Sequence, residues 1–201
     1  MRRIKIWNDS PSESQVREAA DVIEKGGILI IPTDTMYALA CDALNSKAID
    51  RLCKAKGINP EKQPLSIICS DISMASEYAR IQDDTFTLMR GNLPGPFTFL
   101  LKATSSLPKA FKGRKTVGIR VPDNNFTRRL ADYLGHPLLS TSIPYANDSD
   151  YAINPDLIAE YNETRADLMV EAEEGSTEVS AIIDCTGEEP VVVREGIRQL
   201  H

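Results

Sequence analysis

The apolar run Gly27-Ile28-Leu29-Ile30-Ile31, followed at once by Pro32-Thr33-Asp34-Thr35-Met36-Tyr37-Ala38-Leu39, restricts this chain more than any other segment. The run reads as a buried strand, too short for a buried helix. It ends in a proline, two hydroxyls and a carboxylate, so it delivers small hydrogen-bonding groups to the rim of a sheet, where α/β proteins hold ligands. Thr33 and Thr35 are therefore candidate site residues.

Helices and strands alternate around this segment. Ser10-Pro11-Ser12-Glu13 has the serine, proline and glutamate of a helix start, and Val16, Ala19, Ala20 and Ile23 supply the apolar stripe up to Gly26-Gly27. A helix is expected over 45–56, with Ala48, Ile49, Leu52 and Cys53 on one face and Gly57 as its stop, and others over 83–90 and 125–134. Strands are expected over 65–69, 97–101, 116–121, 138–141, 181–184 and 191–194, and a mobile polar connector over 145–151. With 201 residues, 42% of them hydrophobic, the chain can bury a sizeable core. The expectation is a single α/β domain over 1–201.

Charge is divided along the chain. From Lys102 to Arg129 eight Lys or Arg face one acid, Asp123, and from Asp148 to Glu178 ten acids face Arg165 alone. A net charge of -6 excludes a protein that is basic throughout but allows a basic middle that binds a polyanion, including Lys112, Arg114 and Lys115. Within the acidic stretch the run Asp167 to Glu178 allows a docking tail of an assembly subunit. Cys41, Cys53, Cys69 and Cys185 form no Cys-x-x-Cys pair, and His136 and His201 are far apart, so neither disulfides nor a metal site is expected. The start Met1-Arg2-Arg3-Ile4-Lys5 lacks the apolar core of a signal peptide and no stretch is long enough to span a membrane, so a cytoplasmic protein is expected. Trp7 is expected to anchor the amino terminus, and Tyr37 is a candidate for stacking on a base.

Several expected strands end in the same chemistry. Ser140, Thr141 and Ser142 follow one, Ser180 opens another, and Arg120 and Arg194 close two more. Hydroxyls and guanidinium groups gathered at sheet edges suit a ligand with carboxylate, phosphate or ribose groups. No Gly-x-x-x-x-Gly-Lys segment occurs, so an ATP site here is not of the P-loop type.

The ordered series Pro32-Thr33-Asp34-Thr35, Lys54-Ala55-Lys56-Gly57, Pro64-Leu65, Pro94-Gly95-Pro96-Phe97-Thr98, Gly118-Ile119-Arg120-Val121-Pro122, Ser140-Thr141-Ser142 and Arg194-Glu195-Gly196 resembles YrdC-like proteins over residues 15–198. The resemblance implies a twisted mixed sheet with flanking helices and a concave, positively charged groove. It also implies ATP binding and synthesis of threonylcarbamoyl-AMP from L-threonine, bicarbonate and ATP with Mg²⁺, for the modification of tRNA. On matching positions it implies that Thr33 and Thr35 hold threonine, Arg120 its carboxylate, and Lys54 the phosphates. Thr116, Lys56 and Arg194 would contact the nucleotide, and Ser142 and Ser180 the remaining substrate groups, with Lys54 and Arg120 the catalytic pair.

Two positions depart from the synthases, which commonly show Lys-x-Arg where Lys54-Ala55-Lys56 stands and Ser-Ala-Asn where Ser142-Ile143-Pro144 stands. Lysine cannot reproduce the arginine fork, and proline offers neither an amide side chain nor a backbone donor. In these departures the chain is similar to the YciO branch, which implies an alternative: a non-catalytic protein that binds double-stranded RNA or nucleotide.

Overall fold

The computed structural model of the chain describes residues 1–113, 115–144, 149–172 and 175–201. Strand β1 (Arg2–Lys5) leads into helix α1 (Glu13–Glu24), which is capped two residues later than the serine-proline pair suggests. Ser12 Oγ accepts the backbone N–H of Gln15, and the Gln15 side chain accepts that of Ser12. The apolar run forms β2 (Leu29–Ile31), which turns back antiparallel as β3 (Ala38–Asp42). Helix α2 (Ser46–Lys56) is capped by the Asn45 side chain and stopped by Gly57, whose φ of 75° lies in the left-handed region that favours glycine. Then come β4 (Ser66–Ile68), α3 (Ile72–Tyr78), β5 (Ala79–Arg80), α4 (Asp83–Asn92) and β6 (Phe97–Ala103). They are followed by α5 (Lys109–Lys112), β7 (Thr116–Arg120), α6 (Asn125–Leu134) and β8 (Leu138–Ser142). The last elements are α7 (Ser149–Ile153), α8 (Pro155–Tyr161), β9 (Leu168–Glu171), β10 (Ala181–Asp184) and β11 (Val191–Arg194).

Among the described residues the strands join one mixed sheet in the order β1-β9-β2-β3-β8-β4-β7-β6-β10-β11, with β5 paired to β6. Neighbouring residues of the apolar run that contains β2 serve opposite faces. Ile28 and Ile30 enter a cluster with Ala48, Ile49 and Leu52 of α2, while Leu29 and Ile31 enter another with Ala19 and Ile23 of α1 and Phe126 and Leu130 of α6. Each fully buried Ile or Leu contributes about 1.5–3 kcal/mol, so this doubly covered strand anchors the single α/β domain.

The helices on the second face cover only part of the sheet. Along β8 the alternate residues on that face are Leu138, Ser140 and Ser142; Leu138 belongs to the helix-covered cluster, and the two serines lie beyond it. Along β4, Ile68 is covered and Ser66 is not. Apolar residues give way to hydroxyls where the helical cover stops.

Several expectations are corrected. Asp167 accepts the Arg51 fork at 2.7 and 2.9 Å, and Glu171, on the inserted strand β9, pairs with Arg3 and Lys5. These two acids are engaged within the molecule, while Asp148, Glu173 and Glu174, and Arg114 of the basic middle, lie outside the described residues. Trp7 is 61% exposed, with Lys5 Nζ 4.4 Å from its ring centroid. Tyr37 is buried and its hydroxyl accepts the N–H of Ala172, so it presents no face to a base. Of the connector over 145–151, residues 145–148 lie outside the described residues and the rest begins α7. No helix of the described residues is long and apolar enough to cross a membrane.

Candidate functional site

The uncovered hydroxyls floor an open cavity of about 320 Å³. Thr35 enters it from the β2–β3 connection, Arg120 from the end of β7, Ser142 from β8, Ser180 from just before β10 and Arg194 from β11. Five residues singled out from sequence thus meet at one place.

The β2–β3 connection is a hydroxyl-built turn. Thr33 Oγ1 accepts the N–H of Thr35 at 3.0 Å and donates to the Met36 carbonyl at 2.9 Å. Thr33 is therefore occupied in shaping the turn and does not line the cavity, whereas Thr35 does. Asp34 points back toward β7. One oxygen accepts Arg120 Nη2 at 3.0 Å, the other accepts the backbone N–H of Asp123 at 2.9 Å, and Nη2 is also 3.1 Å from Thr35 Oγ1.

Arg120 and Asp34 are only 11% and 9% exposed in their side chains. Burial lowers the Arg120 pKa from its ordinary value, Asp34 opposes that shift, and the positive charge of Arg194 adds to it. Arg120 Nε is buried without a hydrogen-bond partner among the described residues. Burial also lowers the pKa of Arg194, which donates through Nε and Nη2 to the Ser180 carbonyl at 3.1 and 2.7 Å and through Nη2 to Ser180 Oγ at 3.1 Å. Thr98 Oγ1 lies 2.9 Å from the same Ser180 hydroxyl and completes the bracket. Two guanidinium groups thus face one cavity with no carboxylate among its described lining residues.

Gly118 gives the floor its shape. A Cβ there would fall 2.4 Å from Ser66 Oγ and 3.1 Å from Thr98 Cγ2, so only glycine lets those side chains close over β7.

The remaining candidates are placed differently. Lys56 is half-buried, and its ammonium donates to the Ile143 carbonyl at 3.0 Å and approaches Ser142 Oγ at 3.5 Å. Burial, with Arg165 adding repulsion, lowers its pKa. Lys54 is exposed on the last turn of α2 and does not line the cavity. Thr116 stands at the start of β7, at the far end of that strand from Arg120, and lines another cavity. Sequence reasoning gave no role to Gln63, Ser66 or Thr98, which all line the site. Ser66 and Thr98 had a signal, each as the single hydroxyl inside an apolar strand; Gln63 had none. Among the described residues no group of His, Cys, Asp or Glu is placed to hold a metal ion.

The model of the Sua5/YciO/YrdC family, described as telomere recombination, matches residues 21–196. The uncharacterized protein YciO of Escherichia coli is 34% identical over 194 residues, 96% of this chain and 94% of that protein. Its crystal structure superposes with a TM-score of 0.90, covering 99% of this chain and 98% of the other at 33% identity. A threonylcarbamoyl-AMP synthase of Halorhodospira halophila is 30% identical over 167 residues, 82% of this chain and 86% of the synthase. The crystal structure of P. abyssi Sua5 complexed with L-threonine matches at a TM-score of 0.86 and 26% identity, covering 98% of this chain and 58% of Sua5. With the fold, the ordered motifs and the family model in agreement over nearly its whole length, the chain belongs to the Sua5/YciO/YrdC family.

Proposed function

We propose that this protein is an ATP-dependent, adenylate-forming enzyme of the threonylcarbamoyl-AMP synthase type. The observation that carries the reading is the pair Arg120 and Arg194 facing one hydroxyl-floored cavity that lacks a carboxylate in its described lining. Such a site suits reactants that are anionic throughout: the carboxylate of threonine, bicarbonate, and the phosphates of ATP. The likeness to threonylcarbamoyl-AMP synthases, and the L-threonine bound by P. abyssi Sua5, support the choice of substrate.

In the proposed reaction the threonine amine combines with bicarbonate, losing water, to give a carbamate. A carbamate oxygen then attacks the α-phosphorus of ATP, the bond to the bridging oxygen of the β-phosphate breaks, and pyrophosphate leaves. This chemistry needs alignment and charge neutralisation more than a covalent nucleophile. Arg120, which lines the cavity, would take the threonine carboxylate, while Thr35 and Ser180 hold the amino acid. Arg194 and Ser142 would meet the nucleotide, and Mg²⁺ would enter bound to the phosphates of ATP. Lys54 and Thr116 could take part only with the parts of ATP that extend beyond the cavity. The product would feed tRNA modification.

The test is pyrophosphate release by the purified protein with ATP, Mg²⁺ and bicarbonate, with and without L-threonine. Threonine-dependent release is expected, and Arg120→Ala should reduce it about a hundredfold or more. Release that ignores threonine, or none at all while ATP still binds, overturns the reading. One observation favours a second reading, a non-catalytic RNA- or nucleotide-binding protein: the Lys56 ammonium is tied to the Ile143 carbonyl, and Pro144 follows it. Bound RNA or ATP without turnover is the result that reading expects.

A further inference from the structure

A second cavity, of about 660 Å³, shares no lining residue with the groove. Its walls carry Arg80 of β5, Lys102 of β6 and Lys115 just ahead of β7, with the hydroxyls of Thr104, Thr116 and Thr186 between them. No carboxylate is among its described lining residues, and none of the three cations joins an ion pair among the described residues.

A sheet ordinarily avoids this arrangement. Arg80 and Lys102 are direct cross-strand partners in the antiparallel β5–β6 pair, and Lys102 is paired across its other edge with Thr116 of β7. Directly opposed residues hold their Cβ atoms about 5 Å apart, and like charges there repel. Lys115 adds a third charge from a φ of 56°, a conformation that lysine adopts at a cost. Its carbonyl is fixed by the N–H of Ala103 at 3.0 Å. Asp184, on the neighbouring β10, accepts the N–H and hydroxyl of Thr186 at 2.9 and 2.6 Å, which uses that hydroxyl's proton and leaves the three cations and the Thr116 hydroxyl as donors toward the cavity. Like charges opposed across a ladder and a lysine in the left-handed region beside open space form a cradle whose repulsion an anion would relieve.

We propose that this cavity is a phosphate-binding site separate from the groove, taking a phosphate group that is either free or part of a nucleic-acid backbone. A phosphate offers acceptors to the ammonium and guanidinium donors and to the Thr116 hydroxyl, since Thr104 and Thr186 already donate theirs to the Glu77 carbonyl and to Asp184, and its negative charge opposes the three cations. The proposal does not rest on the adenylate-forming reading, and its test does not use turnover.

Inorganic phosphate is titrated into the full chain at constant ionic strength, with chloride as reference, while amide NMR signals and thermal melting are followed. Wild-type protein should show saturable shifts at the amides of Ala103, Lys115 and Thr186, at least tenfold weaker in affinity in Lys102→Gln and intact in Arg194→Gln. Because the substitution removes one repelling charge, Lys102→Gln should melt above wild type in chloride and lose that lead in phosphate. A short RNA duplex identifies the source: shifts of the same amides at lower concentration than phosphate mark backbone phosphates, and no shifts mark a free phosphate. Equal shifts in Lys102→Gln, loss of the shifts in Arg194→Gln, shifts confined to Ser142 and Ser180, or a Lys102→Gln protein that melts no higher than wild type in chloride would overturn the proposal.

Discussion

Arg120 is gripped by Asp34 through one nitrogen and keeps another buried without a partner among the described residues. Asp34 divides its two oxygens between Arg120 Nη2 and the Asp123 amide, so one carboxylate ties the β2–β3 connection to the end of β7. It is also the counter-charge that lets two arginines face the same space. Asp34→Asn should therefore leave a buried, uncompensated guanidinium and cost about 3 kcal/mol in urea unfolding. Arg120→Met leaves the Asp34 carboxylate without its cation but still holding the Asp123 N–H, and it removes the repulsion with Arg194, so it should cost less; the reverse order would show that repulsion with Arg194 is not what separates the two variants. At this scale the sequence was readable where a motif fixes a side chain's direction. Thr35, Arg120, Ser180 and Arg194 stand at strand ends and converge. Lys54 does not, because α2 stays helical through Lys56 and residues two apart on a helix diverge by about 200°. Lys56 turns toward β8 and Lys54 toward solvent.

Elements with caps and stripes were legible from the sequence, and those defined only by their partners were not. Helix α6 matches its expected bounds because Asn124 caps it and Gly135 stops it. Strand β3 went unread because Ala38–Asp42 is rich in alanine, a residue depleted in strands, and owes its form to its partners β2 and β8. Strand β9 went unread because it lies in the acidic stretch, where charge masks the short apolar run Leu168–Val170. The contact that fastens β9's approach is itself an ion pair. Arg51 on α2 hydrogen-bonds Asp167 and holds its carboxyl below the ordinary 3.8, burial opposes this, and the Ile28 N–H adds to it. A depressed carboxyl stabilises the fold fully above its ordinary value and loses that contribution as pH falls through the folded value. Melting temperatures of wild type and Asp167→Asn should therefore differ at neutral pH and converge as pH falls below the ordinary 3.8 and through the lower folded value. A gap that stays constant with pH would remove the pair from the acid limb.

Across the whole molecule, the two helical layers leave few reactive positions. Cys41, Cys53 and Cys69 are buried as free thiols and Cys185 is partly exposed, with burial pushing the Cys185 thiol up to about 11. An aromatic disulfide reagent should label at most one thiol per native chain, slowly, at Cys185, and all four after unfolding. Rapid native labelling of a second thiol would show that a helical layer opens. The sheet order has a temporal side as well. Strand β9 separates β1 from β2, although both precede it by most of the chain, and the groove takes Ser180 and Arg194 from β10 and β11, which follow every other strand of the sheet. A ribosome therefore releases the hydroxyl floor long before the guanidinium that faces it. A nascent chain cannot grip an anion from both sides until β10 and β11 have docked, and a ligand in the groove would favour the completed form over any precursor that lacks them.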